Sequence, residues 1–214
     1  MSDSPNPKVL LDRARLLGNM GRYEQAEVFI NQCLAIDPKC AEAYGLLSLA
    51  YKNTCRIKLA IDAAKQAVAL SPNDSYYHSV LTIAYKANQL WEQAEQSISL
   101  AIQLNPNVAY YFAHQAQIYI RQNRWQDAIE STRRGLKIDP DNISCLQLRF
   151  IALLELHLLT VAEEILNAML SRHPNDALVH RSAGDLYHKQ RKIKWSILAY
   201  QESLRLDQIG RAHV

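Results

Sequence analysis

Six times along the chain an apolar stretch runs into a polar stop, and the stops keep one stride. The stretches read LAIDP, VALSP, IQLNP, LKIDP, LSRHP and LRLDQ. Pro38, Pro72, Pro106, Pro140 and Pro174 stand 34 residues apart, and the next step lands on Gln208 in a matching context. A stride of this length marks stacked supersecondary units. The residues between stops are dominated by Ala, Leu, Gln, Glu, Lys and Arg, which favour helix. Each proline ends a helix, because its ring and missing N–H oppose continuation and push the preceding residue towards extended backbone. Gly21, Asn53, Asn88 and Asn123 fall midway between stops and tolerate left-handed backbone, so each unit is predicted to be two helices joined by a turn. Asn6 followed by Pro7 reads as an N-cap and first helical residue.

Composition agrees with a helical array. Of the 214 residues 49% are hydrophobic, enough to build a core, while 6 Gly and 7 Pro leave few of the turns an all-β fold requires. A net charge of +3, from 24 basic and 21 acidic residues, is too balanced for a nucleic-acid footprint. The opening MSDSPNPK has no apolar core behind a basic end and is not a secretory signal. The longest apolar region, around Phe150 to Leu170, is interrupted by Glu155, His157, Glu163 and Glu164, so no membrane span is expected within the chain. Cys33, Cys40, Cys55 and Cys145 form no CxxC pair and no zinc spacing with histidine, and are read as packing thiols in a reducing, cytoplasmic setting.

Position by position, the units resemble the tetratricopeptide repeat family. Residues 41–74 supply Tyr44, Leu47, Ser48, Tyr51, Ala60, Ala64, Ala67 and Pro72 at its eight signature places. Residues 75–108 supply Leu81, Thr82, Tyr85, Ala94, Ile98, Ala101 and Pro106. Further units span 7–40, 109–142, 143–176 and 177–208, carrying Tyr23 and Ala26, Phe112 and Ala116, Leu153 and Leu166, and Gly184 and Tyr200. The resemblance implies an all-α fold, an α-α superhelix (solenoid) of six helix–turn–helix repeats, preceded by a flexible stretch over 1–6. Small pairs such as Ala14 with Ala26 and Ala116 with Ala128 let the two helices of a unit approach closely. The sequence departs from the family at Arg13, Gln115 and Arg149, where Leu is usual, and at Gly135, where Ala is usual. Their polar heads are expected to snorkel and the packing to weaken locally.

No catalytic constellation is present: no phosphate loop, HExxH, nucleophile elbow or calcium loop. The chain is read as no enzyme, with no cofactor and no metal. His78 and His180 fall on packing positions between helices. In the family the concave wall is built from the first helix of each repeat. Transferred to this sequence, that places Leu46, Leu49, Lys52, Tyr76, Val80, Ile83, Lys86, Tyr110, His114, Gln117, Arg121, Leu148 and Ile151 in a partner-binding groove. The strip is apolar with recurring tyrosines and a line of cations, including Arg56 and Arg124, along one edge. The expected partner is a protein or peptide, extended or helical, with apolar anchors and some acidic character. The Lys and Asn clamp that chaperone-binding relatives place at these positions is replaced by Leu11, Arg15 and Leu46.

The closing QIGRAHV breaks the pattern and looks like a sequencing-adapter read-through, so 209–214 is expected to be a non-native or disordered tail on a longer, bacterial protein. An array also needs a polar terminal cap, and Leu204 and Leu206 lack one. Two other readings follow: a recruiting arm of a longer enzyme or membrane-anchored protein, or a self-assembling repeat module.

Overall fold

The computed structural model describes residues 6–212, with side chains described as far as residue 209. Twelve helices fill the described residues, which contain no strand. They form two compact units, divided after Pro106. The first unit holds three hairpins: α1 (Pro7–Asn19) with α2 (Tyr23–Ile36), α3 (Ala41–Asn53) with α4 (Ile57–Leu70), and α5 (Ser75–Ala87) with α6 (Trp91–Leu104). The second holds α7 (Ala109–Arg121) with α8 (Trp125–Ile138), α9 (Ile143–Glu155) with α10 (Leu159–Arg172), and α11 (Ala177–Lys189) with α12 (Ile193–Ala212). The first helices of the hairpins keep the 34-residue stride of the prolines.

The helix ends follow from local chemistry. Asn6 accepts from the Lys8 amide at 2.9 Å with Pro7 at the first helical position. Asp74, Asn142 and Asp176 cap α5, α9 and α11 in the same way. The residue before each proline, from Asp37 to His173, is the C-cap of its helix and leaves helical geometry, with ψ between 59° and 95°. The sixth unit has Gln208 where the others have proline, and nothing there stops the backbone. α12 accordingly runs for 20 residues against 14 in its five counterparts, through residues 209–212 of the adapter-like string. Residues 213–214 of that tail, like 1–5 of the predicted flexible start, lie outside the described residues.

The turn inside each hairpin differs from the sequence-based expectation. The left-handed residues are Gly21, Cys55, Gln89, Asn123, His157 and Arg191, again one per 34-residue period. Asn53 and Asn88 are not among them; Asn53 instead donates its side-chain amide to the Leu49 carbonyl at 2.9 Å. Each turn is a Schellman closure, in which the amide of Arg22, Arg56, Leu90, Arg124, Leu158 or Lys192 reaches five residues back, at 2.8 to 3.0 Å. Four side chains that dislike positive φ sit there because the packed hairpin leaves no other path, at a cost of about 1 kcal/mol each.

Packing within each unit repeats one scheme. In the first unit Leu10, Leu11, Ile30, Cys33 and Leu47 form one buried cluster, and Ala60, Ala64, Val80 and Leu81 another. In the second, Phe150, Leu153, Leu166, Met169, Val179 and Leu186 form the main core. Each first helix packs on its own hairpin partner, and α3, α5, α9 and α11 pack on the preceding hairpin of the same unit as well. His78 and His180, three periods apart, donate to the carbonyls of Pro72 and Pro174 at 2.8 and 2.7 Å, which accounts for both as structural residues. The departures at the usual Leu position do not all snorkel. Arg13 lies over the Phe29 ring and stays exposed, Gln115 accepts from the Ser131 hydroxyl at 2.9 Å, and Arg149 buries its Nε. Gly135 does not loosen its neighbourhood: a Cβ there would stand 2.6 Å from the Cys145 sulfur, so the missing methyl is what admits Cys145.

Candidate functional site

In the first unit the wall of first helices carries seven predicted site residues, and their environments separate them. Val80 is 1% exposed, within the cluster of Ala60, Ala64 and Leu81, and is core. It is corrected from the groove list for that reason: its side chain lies between α4 and α5. Leu46 and Leu49 are half-buried, each packed on a core cluster while keeping one side open. Ile83, Lys52 and Lys86 are half-buried, and Tyr76 is exposed. The Tyr76 ring meets Tyr77 edge-on at 5.4 Å between centroids. Both rings lie over Gly45, where a Cβ would stand 3.1 Å from Tyr77, so this glycine provides their seat. Tyr77 is buried, which pushes its phenol up to about 12 and keeps it neutral.

Lys52 and Lys86 occupy the same place in successive repeats, 34 residues apart. Burial, and then repulsion from Lys52, pulls the Lys86 ammonium down to about 8. Two cations sharing a half-desolvated surface favour an incoming anion, which would relieve both terms.

A cleft of about 230 Å³ lies among α1, α2 and α3, lined by Arg15, Gly18, Asn19, Tyr23, Leu46, Leu49 and Asn53 among others. The sequence-based groove included Leu46 and Leu49 but missed the α1 and α2 side of this cleft. Gly18 was the available signal, because a glycine inside a helix with nothing within 4 Å of its absent Cβ leaves open space, not a close approach. The larger hollow of about 620 Å³ is lined by residues of α6 alone.

In the second unit Tyr110 is exposed and stands edge-on to the His114 ring at 4.1 Å. His114 itself is 7% exposed, so it is corrected from a groove contact to a support beneath Tyr110. The close ring contact is the reason, since Tyr110 covers the imidazole. Gln117, Arg121 and Ile151 are exposed and Leu148 is half-buried. The basic edge is smaller than its sequence suggests. Arg56 lies 4.5 Å over Tyr51 and pairs with Glu27, and Arg124 lies 4.2 Å over Tyr119 and pairs with Asp127. These cations staple the hairpin turns. Among the described residues no three His, Cys, Asp or Glu gather as a metal site, and no helix is long and apolar enough to cross a membrane.

Repeated antiparallel helix pairs, packed neighbour to neighbour within each unit, define a class of all-α repeat proteins. Within that class the chain carries tetratricopeptide repeats: family models of that description match residues 7–40, 41–74 and 109–142. Solved structures share the fold. PilF of Pseudomonas aeruginosa matches at 17% identity over 95% of this chain and 91% of its own, with a TM-score of 0.78. TTC0263, a thermophilic tetratricopeptide repeat protein of Thermus thermophilus, matches at 22% identity over 85% and 99%, with a TM-score of 0.73. YrrB, described as having an unusual peptide-binding site, matches at 11% identity over 83% and 91%, with a TM-score of 0.61. No curated protein sequence matches the chain. Proteins of this repeat class serve generally as protein-interaction modules.

Proposed function

We propose that the chain is a non-catalytic adaptor that holds a segment of a partner protein against the first-helix wall of its repeats. The observation that carries this reading is the pair of exposed tyrosines, Tyr76 and Tyr110, each braced edge-on by a buried ring beneath it. A large aromatic fixed at the surface loses little entropy on binding and is a favoured anchor contact. Around Tyr76 the first unit offers half-buried Leu46, Leu49 and Ile83 for apolar side chains, and Lys52 and Lys86 for a carboxylate. Around Tyr110 the second unit offers Gln117, Arg121, Leu148 and Ile151. The ligand that fits is a peptide segment with apolar residues and at least one acidic side chain. The description of YrrB as a peptide-binding relative in fold is consistent with this reading.

A peptide library displayed on phage and panned against the chain tests it. Enriched peptides should contain an acidic residue beside apolar ones, and Tyr76→Ala combined with Tyr110→Ala should weaken them by more than about 1 kcal/mol with helicity intact. Enriched peptides that bind the double variant unchanged would show that binding lies elsewhere.

A further inference from the structure

The cleft among α1, α2 and α3 can be compared, place by place, with the same junction elsewhere in the chain. Gly18 stands where the other five first helices carry Lys52, Lys86, Ile120, Leu154 and His188. A Cβ on Gly18 would have nothing within 4 Å. The floor is apolar, made by the buried side chains of Ala14, Ala26, Ile30 and Ala50. Four repeats later the equivalent places belong to Phe150, Leu154, Ala162, Leu166 and Leu186, and these form one buried cluster. Where that junction packs the ring of Phe150 and the branched chains of Leu154 and Leu186, the first junction has only Ala14, Gly18 and Ala50. The helix frame repeats, but its apolar filling does not. The first junction therefore has room, in apolar surroundings, for a group the size of a side chain.

We infer that this cleft is a specificity pocket for one aromatic side chain, of indole size, on the partner segment. The inference rests on the adaptor reading above and adds what the partner must carry. Size selects the occupant. An apolar cavity of about 150 Å³ accepts a benzene ring, and sites for whole small molecules run to about 300–1,000 Å³. The cleft, at about 230 Å³, falls between them and suits a single bicyclic ring. The rim selects what flanks that ring. Arg15 lines the cleft and pairs with Glu42, which ties α1 to α3. Guanidinium groups lie over rings elsewhere in the chain, Arg13 over Phe29 and Arg124 over Tyr119, and Arg15 offers the same contact to an incoming ring. Asn53, on the opposite wall, donates to the Leu49 carbonyl and accepts from the Lys52 Nζ at 3.1 Å. A cation thus stands beside the cleft, and an acidic residue next to the aromatic one in the partner would pair with it.

Nitrogen-15 NMR of the full 214-residue chain, titrated with free indole, reads the pocket directly. The amides of Gly18, Asn19 and Asn53 should shift and saturate. Gly18→Leu restores the side chain that Leu154 supplies in the fifth repeat, and it gains helix propensity with no neighbour to displace. This variant should keep its far-UV circular dichroism spectrum and lose the indole shifts. Peptides panned on the wild type then identify the source of the ring. They should hold an aromatic residue beside an acidic one, and Gly18→Leu should weaken them about tenfold or more. Replacing that aromatic residue by alanine should weaken binding to the wild type equally, with little further loss in Gly18→Leu. Indole shifts that are absent, or that persist in Gly18→Leu, would overturn the inference. So would peptides indifferent to Gly18→Leu despite indole binding, since the cleft would then take a free aromatic compound and not the partner. The adaptor reading fails by a different result, peptide binding unchanged in Tyr76→Ala with Tyr110→Ala, a variant that leaves every residue of the cleft in place.

Discussion

Exchanging Lys86 for methionine removes a charge that burial and Lys52 both disfavour. The native ammonium titrates near 8, against an ordinary value of 10.5 in the unfolded chain. Between those values the unfolded chain keeps a proton that the native state releases, so stability rises with pH across that window and is lowest below it. With these two values the contribution of Lys86 grows by about 1 kcal/mol from pH 8 to pH 9. Residual solvent contact of the side chain makes that an upper value. Cys33 and Cys145 act in the opposite sense, because burial pushes both thiols from 9.0 up to about 11 and the unfolded chain loses its protons first. The total stability therefore changes little near pH 9, and the useful quantity is the difference between wild type and variant, from which the thiols cancel. Urea denaturation followed by circular dichroism at pH 7, 8 and 9 measures it. Lys86→Met should be the more stable protein at pH 7, and its advantage should shrink by about 1 kcal/mol by pH 9. The same variant should bind an acidic peptide more weakly, so that stability gained and affinity lost go together. An advantage that stays constant with pH, or a variant less stable at pH 7, would refute the account of Lys86.

Other outcomes follow from the packing. Gly135→Ala gains about 1 kcal/mol of helix propensity but meets Cys145, Phe112 and Ala109, an overpacking cost of about 1–3 kcal/mol. The net effect should be a lower melting temperature, relieved in Gly135→Ala/Cys145→Ala; a Gly135→Ala protein that melts higher than wild type would contradict the fit. Asp74→Ala removes the acceptor of the Tyr76 amide and should cost about 1 kcal/mol in urea denaturation, with amide exchange accelerated in the first turn of α5. Unchanged exchange there would mean the cap contributes nothing.

The stride of prolines, the caps at Asn6 and Asp74 and the small residues between paired helices decide the all-α repeat order directly, because each acts within a few residues of itself. The same local rule explains α12: without proline at 208, the helix continues. What the linear pattern could not decide is which side of each helix is covered. Val80 and His114 have the spacing of wall residues, yet neighbouring elements bury one and a ring four residues earlier covers the other. Arg56 and Arg124 look like free cations until their stacking on Tyr51 and Tyr119 is seen. The left-handed turn residues were misplaced at Cys55 and Gln89 because the packed hairpin, not residue preference, sets that backbone angle. Burial is a property of neighbours brought together by folding, so period and propensity give the scaffold, and only the assembled hairpins decide which side chains remain to meet a partner.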